Sequence, residues 1–180
     1  MARIPMGSRI HQFQKIEQVI VCRNDEQESV EHHQQILANS EAVVQALGLA
    51  YRVVNVCAGD LGRGQVQKFD IECWMPSRKN YGETHSASRY HEFQARRLNL
   101  RYRGSDKKTH FCHTLNNTVI ASPRILISIL ECNQSADGSV TIPGAAGVYE
   151  WAGEHRNKKV KIKMQNDKSK FKKGDRVFII

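Results

Sequence analysis

The sequence lacks the long apolar runs that membrane segments require. No stretch of about 18 apolar residues occurs in the 180-residue chain, so we expect no membrane-spanning helix and no membrane partner. Residues 10–22 alternate polar with apolar side chains instead of forming an apolar block, so we expect no secretory signal peptide there. The first ten residues carry Arg3 and Arg9 and no acid, which is compatible with the end of a targeting segment.

Paired cysteines are also missing. The five cysteines are scattered, none belongs to a Cys-x-x-Cys pair, and their odd number argues against a disulfide framework. We therefore expect buried free thiols and a reducing compartment. The nearest approach to a metal cluster is His110, Cys112 and His113. On a strand the first two would share a face while His113 points away, so we do not expect zinc there.

Acidic residues are scarce relative to basic ones. Lys and Arg number 27 against 18 Asp and Glu, and the net charge of +9 favours polyanionic partners. Residues 158–176 alone hold nine basic and two acidic side chains. This basic segment has two interpretations, a solvated tail or a contact with the RNA backbone.

Apolar periodicity predicts an alternation of strands and helices. Val30, Leu37 and Val44 recur every seven residues, and Gly48 is well placed to end that helix. Ser122 and Pro123 are typical of an N-cap and first helical position. Strands are expected at residues 10–22, 51–58, 67–75, 100–103, 109–115 and 177–180. Helices are expected at residues 26–47 and 89–98 and after residue 122.

This order predicts an α+β domain built on one mixed or antiparallel sheet. The segment at residues 51–58 is interpreted as a buried strand, and residues 67–75 as a strand with one apolar and one polar face. Residues 81–88 are short and polar, and we assign no element to them.

Several segments, in unbroken order, resemble seryl-tRNA synthetases of class II. Any one of them is weak evidence, but their common order across residues 9–143 is specific. They are His11-Gln12-Phe13-Gln14-Lys15-Ile16-Glu17, Phe69-Asp70-Ile71-Glu72-Cys73-Trp74-Met75-Pro76, Phe93-Gln94-Ala95-Arg96-Arg97 and His113-Thr114-Leu115-Asn116, supported by Gly59-Asp60-Leu61-Gly62 and Ile129-Leu130-Glu131. Residues 116–134 look most like the animal mitochondrial form, which suggests a mitochondrial location, or otherwise a cytoplasmic one.

The resemblance implies a class II fold, in which helices flank an antiparallel or mixed sheet, here incomplete at its N-terminal side. It also implies ATP and Mg²⁺, serine and tRNA(Ser) as ligands, and a homodimer or a partner chain. It divides the chain into residues 1–143, the C-terminal part of the catalytic domain, and residues 144–180, a basic extension without a match.

The resemblance also assigns roles to individual residues. Phe13 would stack on adenine, Glu17 would hold the serine substrate, and Asn116 would make a polar contact to serine. At the phosphate end of ATP, Glu83 and Ser86 would bind Mg²⁺. Arg124 would be the catalytic arginine that neutralises the γ-phosphate from the start of a helix.

The chain also departs from the family pattern. The usual Ser-Ser-Cys-Ser-Asn reads His85-Ser86-Ala87-Ser88-Arg89. The family's Thr-x-Glu and Phe-Arg-x-Glu motifs, which recognise serine and the α-phosphate, do not occur. We therefore expect the isolated chain to be inactive in serine activation. Three functions stay open: a portion of a serine–tRNA ligase, a non-catalytic paralogue that binds tRNA, another RNA or a protein in an organellar complex, or a pure dimerisation module.

Overall fold

The structure, a computed structural model, describes residues 10–146 and 177–179. The basic segment at residues 158–176, with its predicted RNA contact, lies outside them. In chain order the strands and helices are β1 (Lys15–Cys22), α1 (Glu26–Ala46), β2 (Tyr51–Asn55), β3 (Gln67–Met75), β4 (Asn80–Arg89), α2 (Phe93–Leu98), β5 (Arg101–Arg103), β6 (Thr109–Phe111), β7 (His113–Ala121), α3 (Ser122–Cys132) and β8 (Val177–Ile179).

In the described part of the chain, the strands form a six-stranded sheet and a separate hairpin. The sheet has the order β2-β3-β4-β7-β1-β8, and every pairing in it is antiparallel. The hairpin joins β5 to β6. β1 is paired along its length with β7 and over three residues with β8. The predicted α+β class with helices flanking an antiparallel sheet is confirmed.

Helix α1 begins and ends at sequence signals. The Asp25 carboxylate accepts a hydrogen bond of 2.9 Å from the backbone N–H of Glu28, which caps the first turn. The chain leaves the helix after Leu47 through Gly48, whose φ of +66° suits glycine. Ile36 and Val44 are buried in the main core, so the helix predicted from apolar periodicity is confirmed.

Several sequence predictions need correction, among them the single strand expected at residues 109–115, which is divided between β6 of the hairpin and β7 of the large sheet. β2 is an edge strand with several exposed positions, so it is not the buried strand expected at residues 51–58. The polar segment at residues 81–88 forms most of β4, a central strand. Ser122 is already inside α3, whose N-cap is Ala121, so the serine hydroxyl does not cap the helix.

The cysteines are all free. Cys22, Cys73 and Cys112 are buried as expected, whereas Cys57 and Cys132 are exposed. No helix in residues 10–146 combines the length and the apolarity that crossing a membrane would need.

The sheet has two unlike faces. The helix-packed face contains the register pairs Ile71–His85, Phe69–Ala87 and Ile20–Leu115, and its buried side chains share one core with α1 and α3. The open face contains the alternate pairs Asp70–Ser86, Glu72–Glu83, Ser88–Asn116 and Glu17–Thr118. Opposed residues of a ladder lie on the same side of the sheet, so these polar side chains lie side by side on one face, where Ser88 and Thr118 are buried.

Candidate active site on the open face

A bulge in β4 gives Glu83 and Ser86 a common face. Residues three apart on a regular strand point to opposite sides. Here the register between β3 and β4 shifts between Ile71 and Glu72, so that Glu83 lies opposite Glu72 and Ser86 lies opposite Asp70. The residue absorbed by the shift is Thr84, which is buried and donates to the carbonyl of Ile71 at 3.2 Å. The irregularity thereby brings the predicted metal-binding pair to one surface.

Arg124 joins this surface from the first turn of α3. Its Nη1 donates to the Glu83 carboxylate at 2.8 Å and to the Glu83 backbone carbonyl at 3.0 Å. Both side chains are half-exposed, so each can exchange this partner for a ligand at small cost. The predicted γ-phosphate arginine and one predicted Mg²⁺ ligand are therefore in direct contact.

Asp70 is a member of this surface that the sequence reasoning missed. Its Oδ2 accepts from Lys68 Nζ at 3.0 Å, whereas its buried Oδ1 has no hydrogen-bond partner among the described residues. Burial is the main cause that raises the pKa of Asp70, and the nearby carboxylates of Glu83 and Glu72 add to it, against Lys68. The sequence did contain a signal that could have identified Asp70. Asp70 and Glu72 are two acids at the polar positions of β3, and Glu72 lies opposite Glu83, a residue that the resemblance had already identified.

The donor set fits a hard divalent cation. Asp70, Glu83 and Ser86 offer carboxylate and hydroxyl oxygens, which are the ligands that Mg²⁺ prefers. The Asp70 oxygen without a partner and the repulsion among the three acids, Glu72 included, would both be relieved by a cation. The residues present therefore suit the metal that the sequence resemblance implies.

The two predicted serine ligands also lie on the open face. Glu17 follows a register shift in β1 and lies opposite Thr118, while Asn116 lies between Val19 and Ser88 on the neighbouring strands. Lys15 Nζ contacts the Glu17 carboxylate at 2.9 Å. The Lys15 ammonium group thus pairs with the same carboxylate that would bind the ammonium group of serine.

Phe13 lies just before β1 and is 49% exposed, which is high for so large an apolar side chain. The neighbouring Gln14 carbonyl accepts a hydrogen bond of 3.1 Å from the backbone N–H of Ser122, the first residue of α3. Because Arg124 is two residues further on, the aromatic ring and the arginine belong to the same end of the sheet.

Further polar residues border the open face, and the sequence reasoning gave none of them a role. Gln65 Nε2 donates to Ser88 Oγ at 2.8 Å, and Thr114 Oγ1 donates to Gln94 Oε1 at 2.8 Å. Gly64, with φ +88°, lies so close to Phe93 that a Cβ there would meet the ring at 2.3 Å. These contacts hold the loop before β3 and helix α2 against one end of the surface.

Comparison with known proteins assigns the class. Residues 6–133 match the family described as the tRNA synthetase class II core domain (G, H, P, S and T). The match covers more than half of the chain, and the chain therefore belongs to this family.

Several similar proteins within that family are serine–tRNA ligases. The enzyme of Deinococcus radiodurans is 50% identical over 141 residues, which cover 78% of this chain and 33% of that protein. The crystal structure of seryl-tRNA synthetase from Pyrococcus horikoshii complexed with ATP has a TM-score of 0.73 and 46% identity over 79% of this chain. The cytoplasmic serine–tRNA ligase from Naegleria fowleri in complex with AMP has a TM-score of 0.71 and 40% identity over 77% of this chain.

The described fold is thus part of a seryl-tRNA synthetase-type catalytic domain. The chain spans about a third of the length of the curated relatives it matches. The resemblance seen in the sequence motifs is confirmed, and nucleotide complexes of the two structural neighbours agree with the predicted use of ATP.

Proposed function

We propose that the open face is the ATP- and serine-binding part of a serine–tRNA ligase active site. The contact between Arg124 and Glu83, beside Asp70 and Ser86, is the observation that carries this proposal. The Arg124 guanidinium is a cation that can bind phosphate oxygens. It lies beside oxygen ligands suited to the metal that accompanies ATP. Phe13 would support the adenine from the same end of the sheet, since a half-exposed aromatic ring offers a flat apolar surface.

The residues divide the chemistry among themselves. Asp70, Glu83 and Ser86 would hold Mg²⁺, which when bound neutralises phosphate charge. Arg124 would leave Glu83 and bind the γ-phosphate, helped by the start of α3, where helix dipoles favour an anion. Stabilising charge that develops on the reacting phosphate is the largest contribution such a site makes to the rate.

The serine subsite would use Glu17 and Asn116. When serine binds, its ammonium group would displace Lys15 from the Glu17 carboxylate, and the Asn116 amide would contact the substrate from the adjacent strand. Serine and tRNA(Ser) are accordingly the proposed substrates, in a homodimer or with a partner chain. A mitochondrial location forms part of the same proposal, on the resemblance of residues 116–134.

The departures from the family's sequence pattern favour this function over a non-catalytic paralogue. His85, Ala87 and Arg89 all lie on the helix-packed face, whereas Ser86 and Ser88 keep the family's residues on the open face. These replacements alter how β4 packs against the helices. The residues of β4 that would contact substrate are retained.

The test is binding of ATP with Mg²⁺ by isothermal titration calorimetry to the 180-residue chain. We expect saturable binding that Arg124→Ala weakens at least about tenfold, the loss typical of one charge-assisted contact. Arg23→Ala is the matched control, because Arg23 also contacts a carboxylate, Glu28 Oε2 at 2.8 Å, and follows β1 at the end opposite to Phe13. Equal affinities of the two variants would contradict the proposal.

Activity separates binding from catalysis. We expect the isolated chain to bind ATP and to catalyse no serine-dependent exchange of pyrophosphate into ATP, because it has no Thr-x-Glu or Phe-Arg-x-Glu motif. Exchange above a control without serine would show that the chain activates serine alone. That result would overturn the predicted inactivity and leave the ATP site in place.

A further inference from the structure

A second polar cluster lies at the other end of β4, away from the proposed ATP site. Three chain segments meet there: Glu26 is the first residue of α1, His91 follows β4, and His113 is the first residue of β7. One potential ligand atom from each side chain lies within 4.8 Å of the other two. The sequence reasoning considered His113 only with its neighbours His110 and Cys112, so it missed this combination.

The contacts within the cluster conflict with one another. His91 Nε2 lies 2.7 Å from Glu26 Oε2 and 3.1 Å from Arg89 Nη1. A protonated Nε2 donates to the carboxylate but faces an N–H of the arginine, and an unprotonated Nε2 faces the carboxylate lone pair. Neither tautomer satisfies both contacts.

His113 adds an unsatisfied group. The residue is 5% exposed, and its buried Nδ1 has no hydrogen-bond partner among the described residues. Its ring stacks on that of His91, with ring centroids 4.6 Å apart and planes inclined by 19°. A buried ring nitrogen without a partner is costly and calls for a ligand.

We propose that Glu26, His91 and His113 form a binding site for one divalent transition-metal ion of the zinc class. Two imidazoles and one carboxylate are a ligand set typical of Zn²⁺, and water would complete the coordination. A metal ion in place of the Nε2 proton resolves the conflict at His91, because it is attracted both to the ring nitrogen and to Glu26 Oε2.

Arg89 is compatible with the bound ion. Its Nη1 contacts Glu26 Oε1 at 2.6 Å, which leaves Oε2 for the metal. The buried arginine would thus keep its counter-charge and orient the carboxylate, as outer-shell partners of metal ligands do. Of the two contacts of Arg89, the ion would displace only the longer one, to His91.

Binding requires one ring to turn. Ring-nitrogen lone pairs lie in the plane of the imidazole, so two nearly parallel rings do not direct them at one point. His113 is fixed by burial, whereas the side chain of His91 is 36% exposed and can rotate out of the stack. We therefore assign the movement to His91.

The experiment titrates Co²⁺ into the full 180-residue chain, followed by visible absorption, with Zn²⁺ competition to obtain the zinc affinity. We expect a saturable spectrum at one equivalent. His91→Ala should weaken Zn²⁺ binding at least about tenfold, and Glu26→Gln should do the same. Circular dichroism would confirm that each variant is folded.

His110→Ala is the matched control. His110 Nε2 also contacts a carboxylate, Asp106 Oδ2 at 3.0 Å, and its side chain is 38% exposed, so it matches His91 in both respects. Its removal should leave the affinity unchanged. Absence of saturable Co²⁺ binding, or equal affinities of His91→Ala and His110→Ala, would overturn the proposal.

Discussion

The two faces of the sheet are built from the same strands by different rules. On the helix-packed face, Ile71, Cys73 and Leu115 are fully buried against α1 and α3, and some polar groups there are held by specific partners. Asn117, for example, accepts from Ser40 Oγ at 2.6 Å and from Gln18 Nε2 at 2.9 Å. On the open face, carboxylates stand beside one another and an oxygen of Asp70 has no described partner. Apolar packing is concentrated on the helix-packed face, and the carboxylates of the proposed ATP site lie on the open face.

The largest expected effect is a loss of packing on the helix-packed face. Leu115→Ala should destabilise the chain by about 2–5 kcal/mol, because Leu115 is fully buried and its removal leaves a cavity. Urea unfolding followed by circular dichroism measures the change. The same substitution at Leu98, which is 73% exposed, should have little effect. Similar losses for both leucines would break the comparison between the faces.

A smaller effect concerns pH and His85. Burial lowers the pKa of His85 from 6.5 to about 4. Between these pH values the unfolded chain binds a proton that the folded chain does not, so the stability present above pH 6.5 falls as the pH decreases. From pH 6.5 to pH 5 the loss should be about 2 kcal/mol.

The variant His85→Ser restores the family's residue and isolates this contribution. Urea unfolding at both pH values should show a flatter pH dependence for the variant than for the unmodified chain. Other buried histidines, such as His33, whose pKa burial also lowers, remain in both proteins. An identical pH dependence would mean that His85 is not the group that titrates.

The smallest effect is expected from the open face. Arg124→Ala should change the free energy of unfolding by no more than about 1 kcal/mol, because a half-exposed ion pair contributes little. Its effect on ATP binding should be much larger than this. A loss of stability as large as that of Leu115→Ala would show that Arg124 has a structural role.

Sequence patterns predicted the elements whose periodicity is regular. The stripe of α1 and the alternation of β3 reproduce the observed bounds within a residue, since packing on one side selects these patterns. Strand β4 was not predicted, because polarity does not alternate along it. Its buried positions include Thr84, His85, Ser88 and Arg89. Burial there is stabilised by hydrogen bonds and ion pairs that join residues distant in sequence.

The site shows the same limit. The resemblance supplied Glu83, Ser86 and Arg124, and the structure brings Arg124 and Glu83 together. It could not supply the bulge at Thr84 that puts Glu83 and Ser86 on one side. Nor could it supply the meeting of Glu26, His91 and His113, because three segments far apart in the chain converge only after folding.

The register of β1 bears on the entropy cost of forming the two subsites during folding. Strands β3 and β4 join through a short turn, so the carboxylates of Asp70 and Glu83 meet by a local hairpin. Glu17 reaches Asn116 only when β1 docks on β7, which brings Gln18 to Asn117, 99 residues away. Closing so long a loop costs entropy and slows folding. The pairing that brings Asp70 beside Glu83 therefore costs less loop-closure entropy than the pairing that brings Glu17 beside the strand of Asn116.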